Sequence, residues 1–147
     1  MKYVIILSLL FLFSCNQKQV AHADSDVIIE SFFNAYKKQS PRVALNEIFA
    51  TNTYFETMHS QSIDEVKDRL VAYADSIGEY CGYEIASRRT IGHSLMHYSC
   101  VVKYEIQPIR FMFTLYKPKD KWLLFNFQFS TDFTNELDES SKFYYIE

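Results

Sequence analysis

The chain's four histidines and three cysteines hold most of its reactive chemistry. His93 and His97 stand four apart, a spacing that on a helix would aim two imidazoles at one metal ion. The segment around them alternates as a turn and strand do. At about 3.3 Å per residue the two Cα atoms then sit about 13 Å apart, too far to share an ion whose ligands lie roughly 2 Å away. No metal and no cofactor is expected. His97 shares a strand face with Leu95 and Ser99 and is a candidate acid or base, since an imidazole titrates near neutral pH; a structural histidine is the alternative. Cys81 and Cys100 lack the helix N-terminus or cationic neighbour that would make a reactive thiolate. With the strands either side of Ile91-Gly92 paired, Cys100 falls nearly opposite Tyr83 and Cys81 is its diagonal neighbour. A Cys81–Cys100 disulfide, which needs Cα atoms within roughly 7 Å, and free buried cysteine both stay open. Gly78 and Gly82 form no phosphate-cradling pattern. Asp64, Glu65, Lys67, Asp68 and Arg69 read as the solvated face of a helix. Arg88 and Arg89 point to opposite faces of a strand.

The elements that must position these groups follow from periodicity. Val27, Ile28, Phe32, Ala35 and Tyr36 make one stripe at spacings of three and four, predicting a helix over Ser25 to Lys38. Ser40-Pro41 opens a short second helix, serine as cap and proline at the first turn, which ends at Thr51-Asn52-Thr53. Ser62-Ile63-Asp64-Glu65 has the form of a capping box and predicts a third helix to Ser76, closed by Gly78. From Tyr80 the period becomes alternating. Strands are expected over Tyr83 to Ile91, Leu95 to Ile106, Ile109 to Tyr116 and Trp122 to Ser130. In the last, Leu123, Phe125, Phe127 and Phe129 form the apolar face. The fold class is α+β, three N-terminal helices packed on a curved four-stranded antiparallel sheet.

The first residues carry an address rather than a fold. Lys2 precedes an apolar run from Val4 to Phe13, broken by Ser8, and then Ser14-Cys15 and a polar stretch. Ten apolar residues suit a secretion signal and are too few to span a bilayer, which needs about 20. Leu12-Phe13-Ser14-Cys15 resembles the bacterial lipobox, with Phe13 where a smaller or branched residue is usual. The resemblance implies a cleaved signal over 1–14, acylation at Cys15, a polar tether over 15–24 and a bacterial cell-envelope location, lipid-anchored with the domain outside the cytoplasm. Two acyl chains or more hold firmly, because each buried methylene contributes about 0.8 kcal/mol. The chain carries 15 Lys and Arg against 18 Asp and Glu; losing Lys2 makes it more acidic still, which argues against a nucleic-acid partner. A single domain over 25–133 and an acidic tail over 134–147, with Phe143-Tyr144-Tyr145-Ile146 able to dock, complete the layout.

Three helices followed by an antiparallel meander resemble the nuclear transport factor 2-like, or SnoaL-like, cone fold. The residues that carry this are Phe32-Phe33-Asn34-Ala35-Tyr36, Glu47-Ile48-Phe49-Ala50 and Lys121-Trp122-Leu123-Leu124-Phe125-Asn126-Phe127; Ser40-Pro41 stands where the family often has Gly-Asp. The resemblance implies a pocket at the open end of the cone. Ketosteroid isomerases share the order and use a carboxylate base with tyrosine and protonated-carboxyl donors. Tyr36 or Tyr54 matches the tyrosine, but the strands offer only Glu84 and Glu105 as acids. Many aromatics with few reactive groups favour a module binding a small apolar ligand or a protein partner. The alternatives are a small isomerase- or dehydratase-type enzyme using Tyr36, Tyr54 or His97, and a homodimer through the sheet.

Overall fold

The stripe on the first helix decides how the layers meet. Helix α1 (Gln17–Lys38) buries Ile29, Phe32, Phe33, Ala35 and Tyr36, while Ile28 is partly buried and Val27, expected on the inward stripe, is 61% exposed. The computed structural model describes residues 17–134 and 137–138, with side chains from Asp24. The signal segment, Cys15 and most of the tail, including Phe143-Tyr144-Tyr145-Ile146, lie outside the described residues. The first helix starts eight residues earlier than expected. Residues 17–24 lack apolar periodicity, yet their Gln, Lys and Ala are good helix formers and no Gly or Pro stops them.

Helix α2 (Pro41–Phe49) is capped as expected, Ser40 Oγ accepting from the Val43 N–H at 3.2 Å. A 3₁₀ turn over Ala50–Asn52 and a short helix α3 (Thr53–Met58) follow, where Thr51-Asn52-Thr53 is expected only to end a helix. Asn52 starts α3 by accepting from the Phe55 N–H. Helix α4 (Ser60–Ser76) begins two residues before Ser62, so the Ser62-to-Glu65 spacing lies inside the helix and caps nothing. Lys67 also departs from the solvated-face reading. Its stem is buried, its ammonium lies 5.6 Å from the Phe49 ring centre, and Asp64 and Glu56 are its ion partners. A long lysine can bury its methylenes and keep its charge satisfied.

Strands β1 (Tyr80–Ile91), β2 (Leu95–Tyr104), β3 (Ile109–Tyr116) and β4 (Leu123–Ser130) form an antiparallel meander in sequence order. On the inner face Met96, Tyr98, Cys100 and Val102 of β2 and Phe111, Phe113 and Leu115 of β3 are fully buried. Phe32 meets Phe113 edge-on at 5.0 Å between ring centres, and Phe33 stacks on Tyr83 at 3.7 Å. Such aromatic pairs contribute about 0.5–1.5 kcal/mol beyond the area they bury.

Three bulges reset the expected faces. Leu115 pairs with Leu124 and Thr114 with Asn126, which leaves Phe125 as the extra residue of β4. The inward set is therefore Leu124, Phe127 and Phe129, not Leu123 and Phe125, and Phe125 is more than half exposed. In β1 the extra residues are Cys81 and Ala86. One inserted residue flips every side chain beyond it to the other face. Among the described residues no helix is long and apolar enough to cross a membrane.

Candidate functional site

Tyr36 is the last inward residue of α1, and it reaches the end of the sheet where β1 begins and β2 finishes. There Tyr80 pairs with Tyr104. The Tyr36 and Tyr104 hydroxyls are hydrogen-bonded at 2.5 Å, and the Tyr80 ring lies 5.3 Å from that of Tyr36 and 5.9 Å from that of Tyr104. Gly78 makes the turn from α4 into β1 at φ +89°. It also admits Glu105, because a Cβ on Gly78 would lie 2.7 Å from Glu105 Oε2. That oxygen accepts from the Glu79 N–H at 3.0 Å, and the Glu105 N–H donates back to the Glu79 carbonyl at 3.2 Å.

These groups line an open cleft of about 370 Å³, bounded by Tyr36, Tyr80 and Tyr104 with Asp75, Glu79 and Glu105. On the other side of Tyr80 a second open cleft of about 480 Å³ runs between α1 and β1, lined by Glu30, Phe33, Asn34, Lys37, Cys81 and Tyr83. The space beneath the middle of the sheet is filled by phenylalanine.

Burial pushes the Tyr36 hydroxyl far above the ordinary phenol range, with Tyr104 and then Tyr80 and Asp75 adding to the effect. Burial also raises Tyr104, opposed by its bond to Tyr36, and pushes Tyr80 up to about 12. Desolvation disfavours the phenolate. The cleft therefore presents neutral hydroxyls, which donate and accept hydrogen bonds, next to carboxylates. That combination can hold a polar or cationic ligand against aromatic walls.

The sequence candidates are not brought together. Tyr36 is in the cleft, whereas Tyr54 stands exposed on α3 and His97 lies on the outer face of the sheet, its Nδ1 3.1 Å from Thr114 Oγ1. His97 sits one residue out of phase with buried Met96 and Tyr98, so it faces away from the cleft's layer. Glu84 is ion-paired with Lys103 on that outer face, while Glu105 is in the cleft. His93 occupies the exposed turn between β1 and β2. The Cys81–Cys100 bridge does not form, and both thiols are free. The turn after Ile91 has three residues and the Ala86 bulge shifts the register, so Cys100 pairs with Ile85, four residues or about 13 Å along the strand from Cys81. Cys81 is exposed, its Sγ donating to the Glu79 carbonyl at 3.4 Å. Cys100 is buried, which pushes its thiol up to about 12. No group of His, Cys, Asp and Glu among the described residues could hold a metal.

Tyr80, Tyr104, Asp75 and Glu79 are not among the residues that the sequence singles out. A signal existed: Glu79-Tyr80 and Tyr104-Glu105 are mirror images, and an antiparallel hairpin superposes them. Comparison of the chain with family models, curated proteins and solved structures finds no match.

Proposed function

We propose that this protein is an exported bacterial lipoprotein, anchored through acylated Cys15, whose domain binds a small ligand in the tyrosine cleft. The nuclear transport factor 2-like cone is the fold type proposed for it. The order of three main helices and a four-stranded antiparallel meander supports that type. The Leu12-Phe13-Ser14-Cys15 run after a short apolar segment supports the anchor.

One observation carries the binding reading. Buried Tyr36 and part-buried Tyr80 and Tyr104 meet at one open cleft beside Asp75, Glu79 and Glu105, and neither a histidine nor a cysteine is among the residues that line it. Neutral phenols and carboxylates without a nucleophile suit recognition better than turnover. Ring faces and three carboxylates favour a ligand with a flat apolar portion and a hydrogen-bond-donating or positively charged group.

Titration of the acylated full chain against a metabolite library, followed by tyrosine fluorescence, tests this reading. Ligands that bind are expected to lose at least tenfold in affinity with Tyr80→Ala and to be unaffected by Tyr54→Phe. Catalytic turnover that disappears in His97→Ala or Tyr36→Phe would overturn it in favour of an enzyme.

A further inference from the structure

We infer that the end of the domain opposite the tyrosine cleft is a second membrane contact, which seats the protein on an anionic lipid surface. The inference rests on the lipoprotein reading and adds an orientation to it.

Helix α1 runs antiparallel to β1. Tyr36 lies against Tyr80, Phe33 against Tyr83, and Asp26 bonds Arg88 at 3.1 Å. From Asp26 back to Gln17 the helix advances about 14 Å, while β1 needs only about 10 Å from Arg88 to its tip at Ile91. The start of α1 thus reaches the level of the β1–β2 tip, and Cys15 is two residues earlier in the sequence. The loop from β3 to β4 lies at this same end. The Lys117 N–H donates to the Ser94 carbonyl at 2.8 Å, and the Lys117 ammonium sits 5.7 Å from the centre of the buried Trp122 ring, which holds the loop in place.

The composition of this end differs from that of the chain as a whole, which is acidic at net −3. Arg88, Arg89, Lys117, Lys119 and Lys121 gather here against Asp24, Asp26 and Asp120, and Asp26 is already paired with Arg88. Beside the lysines runs an apolar row across all four strands on the outer face, Ile91, Leu95, Tyr116 and Leu123 in register. Ile91 is 72% exposed, Tyr116 39% and the bulged Phe125 53%. Phe125 rests on Tyr116, ring centres 6.4 Å apart. An apolar rim carrying a tyrosine and flanked by lysines is the composition of segments that lie in a headgroup layer: the rings and aliphatic groups enter, and the ammonium groups meet lipid phosphates. A protein partner of unknown kind could use such a rim, but the position of the rim at the anchored end commits it to the bilayer. Seated this way, the tyrosine cleft opens away from the lipid.

The test uses the full acylated chain on vesicles of phosphatidylglycerol and phosphatidylethanolamine, with phosphatidylcholine vesicles as the neutral control. Sedimentation with the vesicles reports the anchor. Amide hydrogen exchange over Ile91–Leu95 and Tyr116–Lys121 reports docking. Slowed exchange in both segments is expected on the anionic vesicles only. Lys119→Gln with Lys121→Gln, both exposed, should keep sedimentation and lower the docked-to-undocked ratio roughly 25-fold, about fivefold per lysine. Unchanged exchange on anionic vesicles, equal slowing on neutral ones, or slowing without vesicles as copies associate would each overturn the inference. Cys15→Ala that still sediments fully, with the tip still protected, would sink the anchor and leave the docking surface standing.

Discussion

Tyr98 ties the two layers together at one residue. It is fully buried, and its hydroxyl donates to Asp26 Oδ1 at 2.8 Å and accepts from the Ser25 hydroxyl at 2.7 Å, fixing α1 to the sheet. Tyr98→Phe should cost about 1–3 kcal/mol, because the partners stay and lose their bond; urea unfolding midpoints measure it. A second expectation concerns the thiols. Cys81 should react with a maleimide in the native protein, and Cys100 only after unfolding, with identical mobility on gels with and without reductant. A third concerns alkali. Five tyrosines, Tyr36, Tyr80, Tyr83, Tyr98 and Tyr104, and the Cys100 thiol are raised, each chiefly by burial. The fold holds their protons more tightly than the unfolded chain does. Their contribution is therefore complete below the ordinary values of 9.0 for thiol and 10.0 for phenol and is lost as pH climbs towards about 12. Stability should fall through that window, and tyrosinate absorbance should rise together with loss of the fold. Tyr80→Phe should flatten the fall, and a slope unchanged by it would contradict the assignment. None of this was legible at the residue level beforehand, because burial of a given hydroxyl depends on partners up to 73 positions away, as Ser25 is from Tyr98.

At the level of elements the sequence spoke more clearly. The Ser40-Pro41 start of α2 and the span of β3 are present, since each depends on local chemistry, and Phe32, Ala35 and Tyr36 of the expected α1 stripe are buried, but Val27 of that stripe is exposed and Ile29 and Phe33 are buried in addition. What misled was also local. Ser62 and Glu65 have capping spacing, but α4 already starts at Ser60, and Phe125 continues an alternation that the bulge interrupts. A bulge is set by the partner strand, here by Thr114 and Leu115 keeping their own register. Gly78 offers a test at this scale. Gly78→Ala forces a side chain into φ +89° and against Glu105. The backbone strain alone should cost about 1–3 kcal/mol, read as a lowered melting temperature, and the displaced Glu105 should weaken ligand binding in the cleft. Thr51→Val should be milder, about 1 kcal/mol, for the loss of the Leu124 N–H bond to Thr51 Oγ1.

Over the whole molecule the order of helices and strands was readable, while the location of the cleft was not. The cone resemblance implies a pocket at the open end, and under the middle of the sheet Phe32, Phe33, Phe111, Phe113 and Phe127 leave no room, their rings in contact. Open space lies instead where α1 runs out and in the cleft between α1 and β1. Phe113→Ala should therefore produce an internal void and cost about 3–5 kcal/mol, with the cleft's ligand still bound by whatever fraction remains folded.

The bonds from Thr51 and Asn52 to β4 govern what this sheet can become. Leu124 offers its N–H to Thr51 and its carbonyl to Asn52, both at 2.9 Å, the pairing a fifth strand would have made. The helical layer thus stands in for a neighbour at one margin of the sheet. The other margin, β1, is kinked by its bulges at Cys81 and Ala86 and carries Arg88 and Arg89. An open sheet margin is a template for pairing with another copy edge to edge, and repeated pairing of that kind stacks strands into fibrils. With one margin already occupied and the other bent and charged, such a stack lacks a flat template on which to grow.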